Sequence, residues 1–385
     1  MKYTPNPRSL VSARESRALT IEDAAALTRI SLKRLRELEG GEPAKAGELK
    51  ELADAYVVPR EVFFTKQLTL PVPLPDFRTP NNAPAKIGRR GAWRVEQAHQ
   101  IRSLLSELAP SREPKATPRI SLDTSVQAAT DAVSHLLDFS KIKSIEGPLT
   151  TFRYLRARIE QLGVPVLCES VKDETFRGFC LAKGSSSPFI FINTWGQTVK
   201  TKNFTLVHEL VHALLRAEGV SDPFILTNNL ERFCNQVTVN VIMPADVFRT
   251  EFVKALQEAG DDYLTLVSSL SDRFKISKQA TAIRIAELGL INDFYGAWLA
   301  RMRGRNLPSP EDEPQDEQEI RRASVVTRHI ARYGYLLPIV IGEAVRNNLL
   351  SKIDVYRFTR LKPKWLEQTE IAARKRFPEA LDASG

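Results

Sequence analysis

The sequence predicts an α+β protein, mostly helical, and three observations carry that expectation. Short helical segments punctuated by caps and glycines crowd the first sixty-odd residues. β-rich runs gather in one place, between Val164 and Ile192. Helical periodicity then resumes at Phe204 and continues almost to the end. With 385 residues there is room for two or three domains. We divide the chain into a helical bundle (1–66), a Pro-rich and basic linker or helix (67–120), a mixed domain (121–300), a charged linker (301–322) and a helical C-terminal region (323–385).

In the first segment, residues 9–19 read as one helix. Thr20 caps the next, over 21–27, and Asp23 three residues on completes a capping box. Ser31 caps a third, over 32–39, which Gly40 and Gly41 stop. A fourth covers 45–56, and Pro59 leads into a fifth over 60–64. Five compact helices, with Ser31, Leu35, Leu38, Glu39 and Gly40 spaced along the third, resemble a helix-turn-helix domain of the Xre/Cro repressor family. The resemblance implies a helix-turn-helix bundle whose third helix enters the major groove of DNA. Lys33, Arg34 and Arg36 are its candidates for phosphate or base edges. Basic and acidic residues nearly balance in this segment, and Ile21 stands where such domains often carry glutamine. The alternative role is therefore dimerisation, or the gripping of a repressor-like partner.

Residues 68–84 are proline-dense and read as an extended connector. Lys86, Arg89, Arg90, Arg94, Arg102, Arg112, Lys115 and Arg119 then make a basic stretch over an apolar stripe of Trp93, Ile101, Leu104, Leu105 and Leu108. It is either a solvated helix surface or a phosphate-binding face. Helices are expected over 123–137 and 151–162, and strands over 164–168, 176–181 and 189–192, bounded by Gly163, Gly178 and Gly184.

The run FTLVHELVHALLR, 204–216, is an apolar helix that nevertheless carries His208, Glu209 and His212. Such groups are costly in a dry core without partners. The four-residue spacing of the H-E-x-x-H pattern stacks the two imidazoles on one face, where both reach a single ion. Glu209, one step round, is placed to act as general base on a water activated by zinc. A peptidase site of this kind needs a third protein ligand. Residues 230–244 form a second apolar helix; Glu231 at its start faces the histidines if the two helices run antiparallel. Asn235 shares that face and is a candidate hydrogen-bond partner for a ligand. Cys234 reads as a small core residue rather than a ligand.

These pieces together (FIFIN at 189–193, F-T-L-x-H-E-x-x-H, then Glu231 with Cys234-Asn235, then Ile242-Met243-Pro244) resemble the ImmA/IrrE family of bacterial zinc metallopeptidases across roughly 149–290. The resemblance implies a zincin-like peptidase domain in which His208, His212 and Glu231 bind zinc and Glu209 activates water. It also implies a regulatory protease, since several members cleave helix-turn-helix repressors. Val211 departs from the family, where many members have glycine. The small sheet would offer an edge to an extended peptide, with Asn193 and Thr194 at the last strand's end as substrate contacts.

Residues 271–289 repeat a helix-turn-helix cadence, with Ser277 as cap. The 301–322 stretch, rich in Pro, Asp and Glu, reads as a surface linker. The tail offers Tyr333, Tyr335, Leu336, Leu337, Trp365 and Leu366 for a core. A net charge of +9 is spread too widely to name a partner. Three cysteines without C-x-x-C spacing fit a reducing cytosol, and no signal-peptide core or eighteen-residue apolar run is found. The expectation is a cytoplasmic zinc-dependent endopeptidase, manganese being the alternative ion, acting on a repressor or antitoxin, with DNA as a second partner, no membrane, and self-association left open. The competing expectation is a DNA-binding regulator or antitoxin whose peptidase-like domain senses or recruits a partner.

Overall fold

The computed structural model describes residues 2–15, 19–56, 58, 60–65, 89–108, 120–142, 144–173, 176–182, 187–216, 219–221, 229–260, 262–303 and 315–381. The connector at 68–84 and the basic residues Lys86, Arg112, Lys115 and Arg119 lie outside them. Two compact units are present, 1–100 and 101–385.

The first unit holds α1 (Pro7–Glu15), α2 (Ile21–Leu27), α3 (Leu32–Glu39), α4 (Ala46–Tyr56) and a 3-10 turn (Arg60–Phe64). A two-residue strand β1 (Lys2–Tyr3), not anticipated from the sequence, pairs antiparallel with β2 (Ala44–Lys45). Thr20 Oγ1 accepts from the Asp23 amide at 3.1 Å while Asp23 accepts from the Thr20 amide, so the capping box fixes the start of α2. Leu10, Leu35, Leu38, Leu52, Tyr56 and Phe63 fill the core. Arg14 on α1 forks onto Glu39 of α3 at 2.7 and 3.1 Å, and its remaining nitrogen reaches the Leu19 carbonyl. This bidentate pair ties the first helix to the third.

Helix α5 (Arg89–Leu108) leads into the second unit. There follow α6 (Val126–Leu137), α7 (Phe139–Ile142) and α8 (Pro148–Gln161), then strands β3 (Val166–Glu169), β4 (Gly178–Leu181) and β5 (Phe189–Asn193). Helix α9 (Val199–Leu215) precedes a short strand β6 (Gly219–Ser221) and α10 (Asn229–Ile242). The sheet order is β3-β5-β4-β6, parallel between β3 and β5 and antiparallel elsewhere. Helix α9 packs on β4, β5, α8 and α10 and is buried along nearly its whole length. Phe179 and Phe191, paired across β4 and β5, stack with centroids 4.8 Å apart. Helices α11 (Ala245–Ala259), α12 (Tyr263–Phe274), α13 (Lys278–Glu287) and α14 (Phe294–Arg303) extend the same core. Ser277 Oγ accepts from the Ala280 amide at the start of α13.

The chain ends in α15 (Gln315–Arg322), α16 (Val325–Tyr333), α17 (Leu336–Arg346), α18 (Lys352–Thr359) and α19 (Pro363–Leu381). The stretch read as a charged linker thus contributes helix at both ends, α14 running to Arg303 and α15 starting at Gln315. The terminal helices dock on α8 through one buried ion pair, Arg156 and Glu160. Arg156 donates to the carbonyls of Ile330, Ala331 and Arg332 that close α16, and to Val166 O on β3. Glu160 accepts the Tyr335 and Leu336 amides that open α17, at 2.7 and 3.0 Å, and the Val166 amide. Both orphaned helix ends are therefore satisfied by side chains of another element. Between them Gly334 adopts φ 72°, and a Cβ there would overlap the Glu160 carboxylate. No described helix is long and apolar enough to cross a membrane.

Gly334→Ala is expected to cost about 3 kcal/mol or more, since strain and overlap act together. Gly260→Ala, at φ 57° with nothing within 4 Å of the new Cβ, should cost about 1 kcal/mol. Urea denaturation of the two variants measures the difference; equal losses would show that the α16–α17 corner does not rely on Glu160.

Candidate metal centre

Thr198 caps α9 by accepting from the Thr201 amide, so the helix begins five residues before the apolar run that announces it in the sequence. Its inner face meets β4 and α10. His208 is 1% exposed, and Glu209 and His212 are fully buried. Helix α10 brings Glu231 across, as an antiparallel hairpin requires. The Glu231 carboxylate lies 3.2 Å from His208 Nε2 and 3.1 Å from His212 Nε2, and the two Nε2 atoms are 3.1 Å apart.

Three potential ligand atoms this close together are arranged as a metal ion would need them. Tetrahedral bonds of about 2.0–2.1 Å place ligand atoms roughly 3.3 Å apart, so the spacing fits a zinc-sized ion. The Nδ1 atoms of both histidines are buried without a hydrogen-bond partner among the described residues. Among those residues this is the one group of three His, Cys, Asp or Glu side chains arranged to hold a metal. Burial pushes the His208 imidazole below its ordinary pKa, favouring the neutral, ligating form. Burial alone would raise the Glu231 carboxyl, but the imidazoles of His208 and His212 hold it well below the usual carboxylate range. Asn235 acts on the His208 imidazole in the opposite sense to burial, raising its pKa. Cys234 lies against His212, yet burial pushes its thiol up, so it stays protonated beside the site.

Gly178 was legible only as a strand boundary, and its place matters more than that. A Cβ at 178 would stand 2.8 Å from Glu209 Oε1 and 2.9 Å from Thr205 Cγ2. The bare backbone of β4 thus passes directly over the Glu209 carboxylate. A glycine interrupting a β-rich run is the sequence signal for such an approach.

The expected substrate contacts fare differently. Asn193 is on the central strand β5, not at an edge. Its side chain accepts from the Val171 and Trp195 amides and donates to the carbonyls of Asp173 and Phe176, bracing the loops around the sheet. Thr194 is buried, with its amide bonded to Glu169 O. Neither residue faces an open strand. The edge beside β4 is taken by β6, and the Val166 amide and carbonyl on β3 by Glu160 and Arg156.

On α3 the three basic candidates also separate. Arg34 is held inside its unit by Glu48 at 2.9 and 3.1 Å, Glu37 at 3.2 Å and the Pro43 carbonyl at 2.7 Å. Arg36 makes an exposed pair with Glu22 at 3.3 Å, and Lys33 is exposed. Arg102, read as part of a basic face, is buried and donates to Ser187 O.

Comparison with known proteins adds two matches. Residues 159–286, which contain the whole cluster, match the IrrE N-terminal-like domain of a peptidase family. Residues 9–56 match a helix-turn-helix domain. No curated protein and no solved structure matched the chain.

Gly178→Val should destabilise by about 1–3 kcal/mol through overpacking, read by urea denaturation; a neutral result would mean that Glu209 can move aside freely. Arg34→Gln should lower the melting temperature of the first unit while changing DNA affinity less than Lys33→Gln does. Equal affinity losses in a filter-binding assay would put Arg34 on the nucleic acid instead.

Proposed function

The chain carries an IrrE N-terminal-like peptidase domain behind a helix-turn-helix domain, and from that premise we propose an intracellular zinc-dependent endopeptidase that cleaves a regulatory protein. The supporting observation is the convergence of His208, His212 and Glu231 within 3.1–3.2 Å of one another, with Glu209 next to His208 on the same buried helix.

His208, His212 and Glu231 would hold the ion, for which manganese is the alternative. Bound there, zinc supplies Lewis-acid activation of water and of the scissile carbonyl. Glu209 takes a proton from the attacking water and passes it to the departing amine. Its burial beneath β4 keeps bulk water away from the carboxylate and favours that transfer. Asn235 orients the His208 ring. A substrate strand would add along the outer edge of β6, the strand beside β4, and the glycine backbone at 178 leaves room for the base. The substrate class is a helix-turn-helix repressor or antitoxin, cut at an exposed loop or linker, with the effect on gene expression following from its loss.

The second reading is a DNA-bound regulator whose peptidase-like domain only recruits a partner. What favours it is the exposed position of Lys33 and Arg36, whose surface pairing with Glu22 is weak enough to exchange for phosphate. Two sets of variants separate the readings. Glu209→Gln should retain bound zinc and lose cleavage of co-encoded helix-turn-helix regulators by about a hundredfold or more. His208→Ala and Glu231→Ala should lose the zinc, measured by mass spectrometry of the metal. Should Glu209→Gln leave biological output intact while Lys33→Gln combined with Arg36→Gln abolishes it, the regulator reading replaces the protease.

A further inference from the structure

A cavity of about 630 Å³ opens within the second unit, away from the histidine cluster. Its walls come from α8, the C-terminal end of β3, the start of α9, and the terminal helices α15, α16 and α19. That volume is in the range of small-molecule sites, about 300–1,000 Å³.

The charge lining it is unbalanced. Arg156 is committed to Glu160 and to backbone carbonyls, and Arg332 pairs with Glu169 at 2.8 Å. Three further guanidiniums, Arg153 from α8, Arg328 from α16 and Arg376 from α19, have no carboxylate within ion-pair distance among the described residues. Arg376 makes only long contacts of 3.4 Å to Thr327 Oγ1, and Arg328 donates to the Arg321 carbonyl. The one acid left over on the wall is Glu379. Thr327, in the first turn of α16, has its amide capped by Ser324 and its hydroxyl reached by Ser324 and Arg376, so the arginines carry the positive charge of this wall. Phe152, Ile330 and Tyr335 give the same cavity an apolar side.

Guanidinium forks lining one cavity from three elements match phosphate oxygens better than a single carboxylate, because each presents paired donors in a plane. The apolar wall suits an organic group carried by those phosphates. We propose that this cavity binds a small phosphorylated molecule carrying at least two negative charges. It would seat the phosphates on Arg153, Arg328 and Arg376 and the organic part against Phe152 and Tyr335. The site is independent of the peptidase reading, since none of these residues belongs to the metal cluster.

The test uses the full-length protein, with inorganic triphosphate and ATP as probes in isothermal titration and thermal melts at constant ionic strength. Saturable binding with a raised melting temperature is expected. Arg328→Gln, an exposed position, should weaken it about tenfold, and the triple variant with Arg153→Gln and Arg376→Gln should lose it. Lys352→Gln with Arg357→Gln, on the exposed side of α18, removes charge elsewhere and should leave binding unchanged. Tighter binding of ATP than of triphosphate supports a contribution from the apolar wall; equal binding assigns the site to the phosphate chain. Unchanged binding in Arg328→Gln, parallel losses in the α18 variant, or no saturable binding of either probe would overturn the proposal. Circular dichroism and the unliganded melt of Arg328→Gln show that the single variant is folded.

Discussion

Two imidazoles and two carboxylates share the buried faces of α9 and α10 with hardly any access to water. An apolar interior penalises every one of these charges unless something of opposite sign stands beside it. Burial favours a neutral His208, but at His212 burial is outweighed by Cys234 and Glu231, which raise that imidazole well above its ordinary pKa, and a single proton there cannot satisfy the whole cluster. A divalent cation can, and it also offsets the combined charge of Glu209 and Glu231. The rest of the second unit follows from keeping that cluster in place. Helix α8 backs α9 from one side, the sheet covers Glu209, and α10 is pinned where its first turn meets the two rings.

Local features were the ones that could be read from the letters. The two histidines share a face because four residues make about one helical turn, and Glu231 needed only the assumption of an antiparallel hairpin. The capping box at Thr20 and the serine caps at Ser31 and Ser277 likewise depend on neighbours three residues away. What escaped was set by distant parts of the chain. Gly178 meets Glu209 across thirty-one positions, and β6 exists only because β4 offers it an edge. Arg34 looked free on the outer face of α3 until α4 delivered Glu48 to it. Asn193 looked like a strand-end ligand, but the central place of β5 turned it into a brace.

The helix-turn-helix segment, 9–56, stays near neutrality and is still firmly built. Its acidic residues are spent on internal geometry: Glu39 on Arg14, Glu48 on Arg34, Asp23 on the start of α2. Of the basic residues of α3, that leaves Lys33 and Arg36 toward solvent. A surface with so little spare charge contributes modest non-specific attraction to a polyanion. Shape and the few base-facing side chains then carry more of any discrimination.

The Arg156–Glu160 pair has a consequence for how the molecule can be cut. Cleaving the chain near residue 300, where the mixed domain was expected to stop, would strip α16 and α17 from α8. It would leave on that helix a cation and an anion stripped of their backbone partners on α16 and α17, keeping only each other and Val166, next to an uncovered Ala157. A fragment truncated there would begin life with a charged scar on α8, the helix that backs α9. The C-terminal helices are thus part of the scaffold of the second unit, and minimal versions of the protein should be trimmed from elsewhere.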